Sequence, residues 1–429
     1  MAAALGVLVS CGSVKSGEEV VAACRDSKVV VAYVTSWSEV MPDPQYMTHI
    51  NYAFGHVNES FNGVKIDNEE RLRQIVDLRK QKPELKVLLS IGGWGSGRFS
   101  EMAANDEYRR AFAADCDRVV KEFALDGIDI DWEYPTSSMA NISSSPDDTE
   151  NFTLLMQDIT AAIGNEKELT LATVASARYI DFKAILPSVD FVNIMAYDMA
   201  SAPKHHSALY PSGHSGDITS DGAVTAHLKA GVPPSKLVMG MPFYGRGGDG
   251  YPSFQDYNKV GNTDTQYTEK WDEVAQVPYL ADKNDTLVFG FENPRSLAIK
   301  CQYILDKDLL GGMYWDYSGD NEQGDLRRTV AENLLGKPHK AKVLVLTERG
   351  GQHGGFTDAG LKWLAAEGAK GNFSITEINN ARNITEAYLS QFSLVIQLDF
   401  PPYTWPKEAE DAFVKYIEEG RGGWIGFAH

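Results

Sequence analysis

The 429-residue chain has only 4 cysteines, and none of them stands in a CxxC or CxxH arrangement. Such a sequence does not indicate a disulfide framework or a cysteine-based metal site. Cys24, Cys116 and Cys301 are therefore expected to be small buried apolar side chains. We expect no metal and no cofactor.

Basic residues are also scarce, with 40 Lys and Arg against 59 Asp and Glu, which gives a formal net charge of −19. Nucleic acid and anionic membrane surfaces would repel such a chain, so this charge argues against both as partners. A neutral partner, such as an uncharged sugar, fits the charge better.

Long apolar runs are missing as well, and the apolar stretch at residues 1–10 is too short to span a bilayer. It ends in Leu8-Val9-Ser10-Cys11, which resembles a bacterial lipoprotein signal in which Cys11 would carry the lipid. This resemblance implies an extracytoplasmic protein, either secreted, periplasmic or an outer-membrane lipoprotein, with no transmembrane span. No Lys or Arg precedes the apolar stretch, so a cleaved segment or a chance match stays an alternative.

Eight strand-like segments alternate with helical patterns such as 70–80, 108–124 and 152–163, which is typical of a parallel sheet with covered faces. Eight such units predict a (β/α)8 TIM barrel. The glycine-, asparagine- and tyrosine-rich stretch at about 247–292 is predicted to be a small α+β insertion on the barrel's C-terminal rim. The predicted barrel strands are 29–34, 50–54, 87–91, 127–133, 169–175, 191–197, 237–243 and 312–315.

A second alternating pattern begins after Pro338, with predicted strands at 342–347, 373–378, 394–398 and 423–427. This predicts a partial doubly wound α/β domain of the flavodoxin-like kind. Because the last strand would leave an exposed sheet edge, we expect a fragment of a longer protein. The predicted domains are a signal segment and linker at 1–26, the barrel at 27–338, and the partial domain at 339–429.

The segment Leu125-Asp-Gly-Ile-Asp-Ile-Asp-Trp-Glu-Tyr-Pro135 places three acids on one face of a strand, because successive side chains of a strand point to opposite faces. Asp129, Asp131 and Glu133 would face the barrel interior, where an unpaired charge is costly. Neighbouring carboxyl groups disfavour joint ionisation, so at least one should hold a proton near neutral pH. Glu133 lies nearest the C-terminal end of the strand and is the predicted general acid. A solvent-facing edge strand with alternating acids is the alternative.

This segment closely resembles the D-x-x-D-x-D-x-E signature of glycoside hydrolase family 18, the chitinases and endo-β-N-acetylglucosaminidases. Further motifs resemble that family in its own order: Ser90-Ile-Gly-Gly-Trp94, Met195-Ala-Tyr-Asp198, Tyr244-Gly-Arg246 and Trp315. The resemblance extends over about residues 28–337. The stretch around 271–295 is similar to the chitinase insertion domain.

The resemblance implies a retaining hydrolase that cleaves β-1,4-linked N-acetylglucosamine polymers by substrate-assisted catalysis through an oxazolinium intermediate. Glu133 would protonate the glycosidic oxygen, and Asp131 and Tyr197 would hold the substrate's acetamide. Asp129, with Ser90 and Tyr33 near it, would tune the charge on Asp131. Substrate-binding roles are implied for Trp315, Asp198, Met195, Tyr244, Arg246, Tyr33, Phe54, Ser90 and Trp94, whereas Trp132 is expected to pack toward the helices.

Two alternatives stay open, an endo-β-N-acetylglucosaminidase acting on N-glycan cores and a sugar-binding lectin without turnover. The loop at 199–209 departs from the family pattern, and its Lys204, His205 and His206 are expected to be solvated. The C-terminal segment resembles a trehalose-utilisation (ThuA-like) domain. In that segment we expect Glu348, His353 and His429 to be ordinary surface residues.

Overall fold

The computed structural model describes residues 28–248, 251–260, 266–336, 341–347, 354–368, 373–398 and 405–427. They fall into two compact units, one within Met1–Gly336 and one within Lys337–His429. The possible lipid anchor at Cys11 lies outside the described residues, as do Cys24, Glu348, His353 and His429. No described helix is both long enough and apolar enough to cross a membrane.

The first unit is built on parallel strands that close into a barrel, and eight such strands are present in the described residues. The strands of this unit are β1 Val29–Thr35, β2 His49–Val57, β3 Val64–Ile66, β4 Lys86–Gly92, β5 Gly127–Asp131, β6 Glu168–Val174, β7 Phe191–Met195, β8 Leu237–Pro242, β9 Tyr244–Gly247, β10 Gln255–Asp256, β11 Thr268–Asp272, β12 Val277–Ala281, β13 Leu287–Gly290 and β14 Gly311–Trp315. Strand β1 pairs with β2 on one side and with β14 on the other, so the order β1-β14-β8-β7-β6-β5-β4-β2 is circular. The predicted (β/α)8 barrel is confirmed.

Helices cover the outside of the barrel, and polar caps fix several of their first residues. The Asn105 side chain, for example, accepts hydrogen bonds from the backbone N–H groups of Glu107 and Tyr108 and so starts a 17-residue helix. The α-helices are α1 Glu69–Val76, α2 Phe99–Ala104, α3 Asp106–Glu122, α4 Asp148–Ile163, α5 Phe182–Ile185, α6 Ser220–Lys229, α7 Pro294–Asp306 and α8 Asp325–Leu334. Short 3-10 helices lie at Pro44–Tyr46, Asp77–Lys80, Leu186–Ser188, Pro234–Lys236, Tyr257–Lys259 and Tyr317–Gly319.

Strand β5 shows why the apolar and acidic residues alternate. Ile128, Ile130 and Trp132 all belong to the main apolar core between strands and helices. The Trp132 ring lies between Phe99 and Phe152, with ring centroids 5.3 and 5.7 Å apart. The predicted packing role of Trp132 is confirmed. The acids of the same strand consequently point into the barrel.

The stretch between β8 and α7 forms an antiparallel sheet with strand order β10-β9-β13-β12-β11. Just after β13, the fully buried Glu292 pairs with the fully buried Lys300 of α7. The Ser207 hydroxyl donates to the same Glu292 carboxylate at 2.6 Å, and Lys300 donates to the Ser207 carbonyl oxygen at 2.5 Å. This network ties the antiparallel sheet, α7 and the loop after β7 together.

The second unit contains a parallel sheet of order β16-β15-β17-β18. Its strands are β15 Lys342–Thr347, β16 Ser374–Ile378, β17 Leu394–Leu398 and β18 Gly423–Phe427, and its helices are α9 Gly354–Gly368, α10 Glu386–Leu389 and α11 Lys407–Glu418. Leu344 and Val395 lie at the centre of its core, together with Leu389 and Tyr416. The predicted α/β fold of this segment, with a parallel sheet, is confirmed.

Candidate active site

Asp129 lies at the bottom of the site and is completely enclosed. Its Oδ2 accepts hydrogen bonds from the hydroxyls of Tyr33 and Ser90, both at 2.8 Å. Its Oδ1 accepts from Thr170 at 2.6 Å and from the Asn193 amide at 3.3 Å. Burial raises the pKa of the Asp129 carboxyl, and these four hydrogen bonds oppose the rise. Asp129 is thus a fixed group beneath the cavity floor.

Asp131 stands one pleat above Asp129 and is 4 % exposed. Among the described residues, its Oδ1 has no hydrogen-bond partner. Burial raises its pKa well above the usual value, and the negative charges of Glu133 and Asp129 raise it further. The ionised form of Asp131 is therefore disfavoured, and its Oδ1 can accept a hydrogen bond from a ligand.

Glu133 lies two residues after the end of β5 and lines the cavity. Burial raises the pKa of its carboxyl to about 7, with a hydrogen bond to Tyr134 working against the shift and the charge of Asp198 adding to it. A carboxyl group with a pKa near the working pH is suited to donate a proton to a leaving group. Because Glu133 and Asp131 lie two residues apart on one strand face, they titrate as a pair.

The phenol of Tyr197 lines the same cavity, beyond the end of β7. Burial raises its pKa well above the usual value, and the charges of Asp131 and Glu133 raise it further. Tyr197 therefore keeps its hydrogen and acts as a donor. Its ring meets Tyr244 edge-on, with centroids 6.0 Å apart.

Asp198 differs from the carboxyls of β5 because a cation holds it. Arg246 donates from Nε and from a terminal nitrogen to the two Asp198 oxygens, at 2.7 and 2.6 Å. His206 Nδ1 lies 3.5 Å from Oδ1. Partial burial opposes ionisation, but Arg246 and His206 outweigh it and lower the pKa of the Asp198 carboxyl. Asp198 is consequently a carboxylate at neutral pH.

An aromatic group forms the floor and rim of the cavity. The Trp315 ring stacks on Phe54 at a centroid distance of 5.5 Å and meets Tyr33 at 5.6 Å. Trp37 and Trp94 are 63 % and 62 % exposed and stand at the rim. Indole faces of this kind offer a broad apolar platform to a flat, partly apolar ligand such as a sugar ring.

These groups enclose a cavity of about 650 Å³, a size suited to a small-molecule ligand. One basic residue, Arg246, lines it among the described residues. The full lining consists of Tyr33, Trp37, Phe54, Trp94, Asp131, Glu133, Tyr134, Met139, Ala172, Val174, Ala175, Ser176, Met195, Tyr197, Asp198, Met199, Ile218, Tyr244, Arg246, Phe254 and Trp315. The site combines a protonated acid, a hydroxyl donor and an aromatic platform, which are the parts needed for acid-assisted cleavage of a bound sugar.

The family model of glycosyl hydrolases family 18 matches residues 29–320. The chain belongs to this family. Its first unit is thus the barrel of a family 18 glycoside hydrolase, and the acids of β5 fall within the matched region. A second model, that of trehalose utilisation, matches residues 342–429, which form the second unit.

Curated relatives include Chitinase A1 of Niallia circulans, which is 29% identical over 409 residues and aligns with 70% of this chain. Chitotriosidase-1 of Mus musculus is 31% identical over 350 residues and aligns with 69% of this chain. This chain spans 58% of the length of the former and 74% of the latter.

Solved structures of the family resemble the chain as well. An N-acetylglucosaminidase from Paenibacillus barengoltzii has 32% identity and a TM-score of 0.66, over 71% of this chain and 99% of that one. The Ostrinia furnacalis Group IV chitinase, solved in complex with allosamidin, has 28% identity and a TM-score of 0.64, over 72% of this chain and 96% of that one.

The structure brings most of the predicted family 18 site residues into one cavity. Ser90 is an exception, because it is fully buried and its hydroxyl donates a hydrogen bond to Asp129. It supports Asp129 and is not positioned to touch a sugar, contrary to its predicted substrate-binding role. The sequence reasoning missed ten lining residues. Two of them lie on β6, Ala172 and Val174, and the other eight lie outside the strands and helices, namely Trp37, Tyr134, Met139, Ala175, Ser176, Met199, Ile218 and Phe254. Tyr134 and Trp37 each follow a barrel strand closely, and that position was the signal that could have found them.

The prediction of a solvated loop after β7 is wrong for two of its residues. His205 and His206 are 2 % and 0 % exposed. His205 Nε2 lies 3.2 Å from Asp272 Oδ2, and burial lowers the pKa of His205 to about 4, against the charge of Asp272. His206 supports Asp198 from behind the cavity. The antiparallel sheet covers this loop, which explains its burial.

Proposed function

We propose that this family 18 enzyme hydrolyses β-1,4-linked N-acetylglucosamine chains, that is chitin and its oligosaccharides. In this proposal the substrate's own acetamide attacks the anomeric carbon, the reaction passes through an oxazolinium intermediate, and the anomeric configuration is retained. The likeness to named chitinases supports the substrate class.

The observation that carries the proposal is the contrast in surroundings of the carboxyls around the cavity: Asp131 and Glu133 are enclosed without a cation among the described residues, whereas Asp198 is paired with Arg246. Glu133, with a pKa near 7, can give a proton to the glycosidic oxygen. A nucleophile would have to be an ionised carboxylate free to approach the sugar. Burial raises the pKa of Asp131 and so disfavours its ionised form, and both oxygens of Asp198 are bound by Arg246. The acetamide of the substrate fills the role that neither carboxyl is suited to fill.

Asp131 and Tyr197 have the groups needed to hold that acetamide. The buried Oδ1 of Asp131 has no partner among the described residues and can accept the acetamide N–H. The protonated phenol of Tyr197 can donate to the acetamide carbonyl oxygen. Together they would orient the carbonyl toward the anomeric carbon, while Trp315 supports the sugar ring.

The test is release of a fluorophore from chitobiose and chitotriose conjugates near pH 6, by wild type and Glu133→Gln. We expect the variant to lose about 10²- to 10⁴-fold in kcat and to keep its affinity for the oligosaccharide. The matched cellobiose conjugate, which lacks the acetamide, should not be cleaved by either protein.

Cleavage of the cellobiose conjugate at a similar rate would contradict the substrate-assisted step. If wild type cleaves a high-mannose glycopeptide and leaves chitin oligomers intact, the enzyme is an endo-β-N-acetylglucosaminidase. Binding of chitin oligomers without any turnover would identify a lectin instead.

A further inference from the structure

The turn that carries Trp94 is fixed at its base. The backbone N–H of Ser96 donates to Gly93 O at 2.9 Å and closes the turn, and the N–H of Gly93 donates to Asp131 O at 2.9 Å. Gly93 has a φ of 92°, and a Cβ added there would stand 2.6 Å from the Phe54 ring. The start of the turn is therefore locked against the floor of the cavity.

The far end of the turn is held by a chain of three polar side chains. Ser96 Oγ lies 2.8 Å from His56 Nδ1, and His56 Nε2 lies 3.0 Å from Asp67 Oδ2. The carboxylate of Asp67 only accepts, so Nε2 carries the hydrogen, and in a neutral ring Nδ1 accepts the hydrogen of the Ser96 hydroxyl. Asp67 is itself anchored, because its N–H donates to Phe54 O at 3.0 Å.

Trp94 needs such support because it is an exposed ring within a glycine-rich turn. Gly95, directly after it, has a φ of 83°. Left free, the turn would sample many positions, and sugar binding would have to order it at a cost in free energy. Preorganisation removes that cost from the binding step.

We propose that Asp67, His56 and Ser96 form a positioning chain that holds the Trp94 turn ready for sugar. His56 does not line the cavity, yet in this proposal it sets the affinity for the sugar unit that contacts Trp94. The inference rests on the proposed function for its substrate, whereas the anchoring of the turn can be tested without any substrate.

The substrate-free test uses trypsin. Arg98 is exposed and lies two residues after Ser96, so loosening the turn should open the bond after Arg98 to cleavage. We expect His56→Ala to be cut after Arg98 about 2- to 10-fold faster than wild type, in line with the loss of one or two hydrogen bonds. His214→Ala removes an exposed histidine from another loop and should be cut at the wild-type rate. Equal rates for wild type and His56→Ala would overturn the anchoring.

The functional test is a double-mutant cycle between His56 and Trp94, measured as KM and kcat on chitin oligomers of two to six units. The Trp94→Ala variant shows for which oligomer lengths the indole of Trp94 lowers KM. His56→Ala should raise KM at those same lengths by about 2- to 10-fold and leave kcat nearly unchanged. In the Trp94→Ala background it should add nothing, because His56 acts through Trp94.

Additive effects of the two substitutions on KM, or a loss of kcat at every oligomer length, would overturn the positioning role. Labelling of Ser96 by a fluorophosphonate would also overturn it, because such labelling would identify Ser96 as a nucleophile and not as a support for the turn. Thermal unfolding of each variant separates a general loss of stability from a local effect. If wild type cleaves no chitin oligomer, the proposed function fails, while the trypsin experiment still decides whether His56 holds the turn.

Discussion

The β5 side of the cavity and the side formed by β7 and β9 both carry carboxyl groups, but their charges differ. Glu133, at the end of β5, has its pKa raised to about 7 by burial and by the charge of Asp198. Asp198, after β7, has its pKa lowered by Arg246 and His206 in spite of its partial burial. One cavity thus contains both a proton donor and a fixed anion.

The placement of a single cation accounts for this difference. Arg246 forms two hydrogen bonds with Asp198 and stabilises its ionised form. Asp131 and Glu133 lack such a partner among the described residues, so burial raises the pKa of both, and the charges of Glu133 and Asp129 raise that of Asp131 further. Burial alone therefore does not decide which carboxyl acts as an acid; the nearest cation does.

Lys300 and Glu292 extend the comparison to a pair that is buried completely. Replacing Lys300 by Met should destabilise the barrel unit by about 3–5 kcal/mol, because the buried Glu292 carboxyl would lose the cation that pairs with it. Urea unfolding at pH 7, followed by tryptophan fluorescence, measures the loss. Lys307→Met, on the exposed side just after the same helix, should cost less than about 0.5 kcal/mol.

The double variant Glu292→Gln/Lys300→Met removes both charges and should recover part of the stability lost by Lys300→Met alone. An equal or larger loss in the double variant would mean that packing around Lys300 matters more than its charge. In that case the comparison between paired and unpaired buried carboxyls would not extend beyond the cavity.

Glu133→Gln should change stability in a pH-dependent way. In the folded protein the pKa of Glu133 is about 7, whereas an unfolded Glu titrates near about 4.3. Below a pH of about 4.3, Glu133 is protonated in both the folded and the unfolded state, and the raised folded-state pKa contributes its full stabilisation. As pH rises from about 4 to 7, the unfolded chain releases its proton first, so wild type loses stability.

Gln cannot ionise, so the stability of the variant relative to wild type should rise by about 3 kcal/mol between pH 4 and pH 8. Denaturant titrations at several pH values measure the difference. Glu166→Gln, at an exposed position, should show no such trend. A constant difference between Glu133→Gln and wild type across this range would refute the raised pKa.

The architecture could be predicted because its determinants are local. Strands such as β4 and β8 are buried along almost their entire length and read as short apolar runs between helical patterns. The alternation in β5 correctly separated Ile130, which packs toward the helices, from Asp131, which faces inward. Because side chains alternate with a period of two residues, a few positions of sequence are enough to show which face of a strand is apolar.

The parts of the site that could not be predicted depend on contacts between distant segments. Trp37 and Phe254 line one cavity, although more than 200 residues separate them in the sequence. His205 is buried because Asp272 and the Tyr279 ring, at a centroid distance of 5.5 Å, come from the antiparallel sheet. The loops that carry Trp37, Phe254 and His205 have no periodic sequence pattern. Only closure of the barrel and folding of the insertion bring these residues to their partners.

The pH dependence of activity offers the finest test of the two sides of the cavity. In the proposed mechanism turnover requires protonated Glu133, so kcat/KM should fall above a pH near 7, with the midpoint reporting the Glu133 and Asp131 pair. Asp198→Asn removes a negative charge that raises the pKa of Glu133, and should shift this midpoint downward. Arg246→Met leaves the charge of Asp198 unbalanced, and should shift it upward.

Each shift should be about half a unit to one unit. Both variants will also lose rate because both residues line the cavity, so the quantity that decides is the midpoint of the alkaline limb and not the height of the curve. Shifts in opposite directions mean that Arg246 and Asp198 act on Glu133 through their charges. Shifts in the same direction would mean that both substitutions change the burial of Glu133, and the raised pKa would then depend on cavity shape alone.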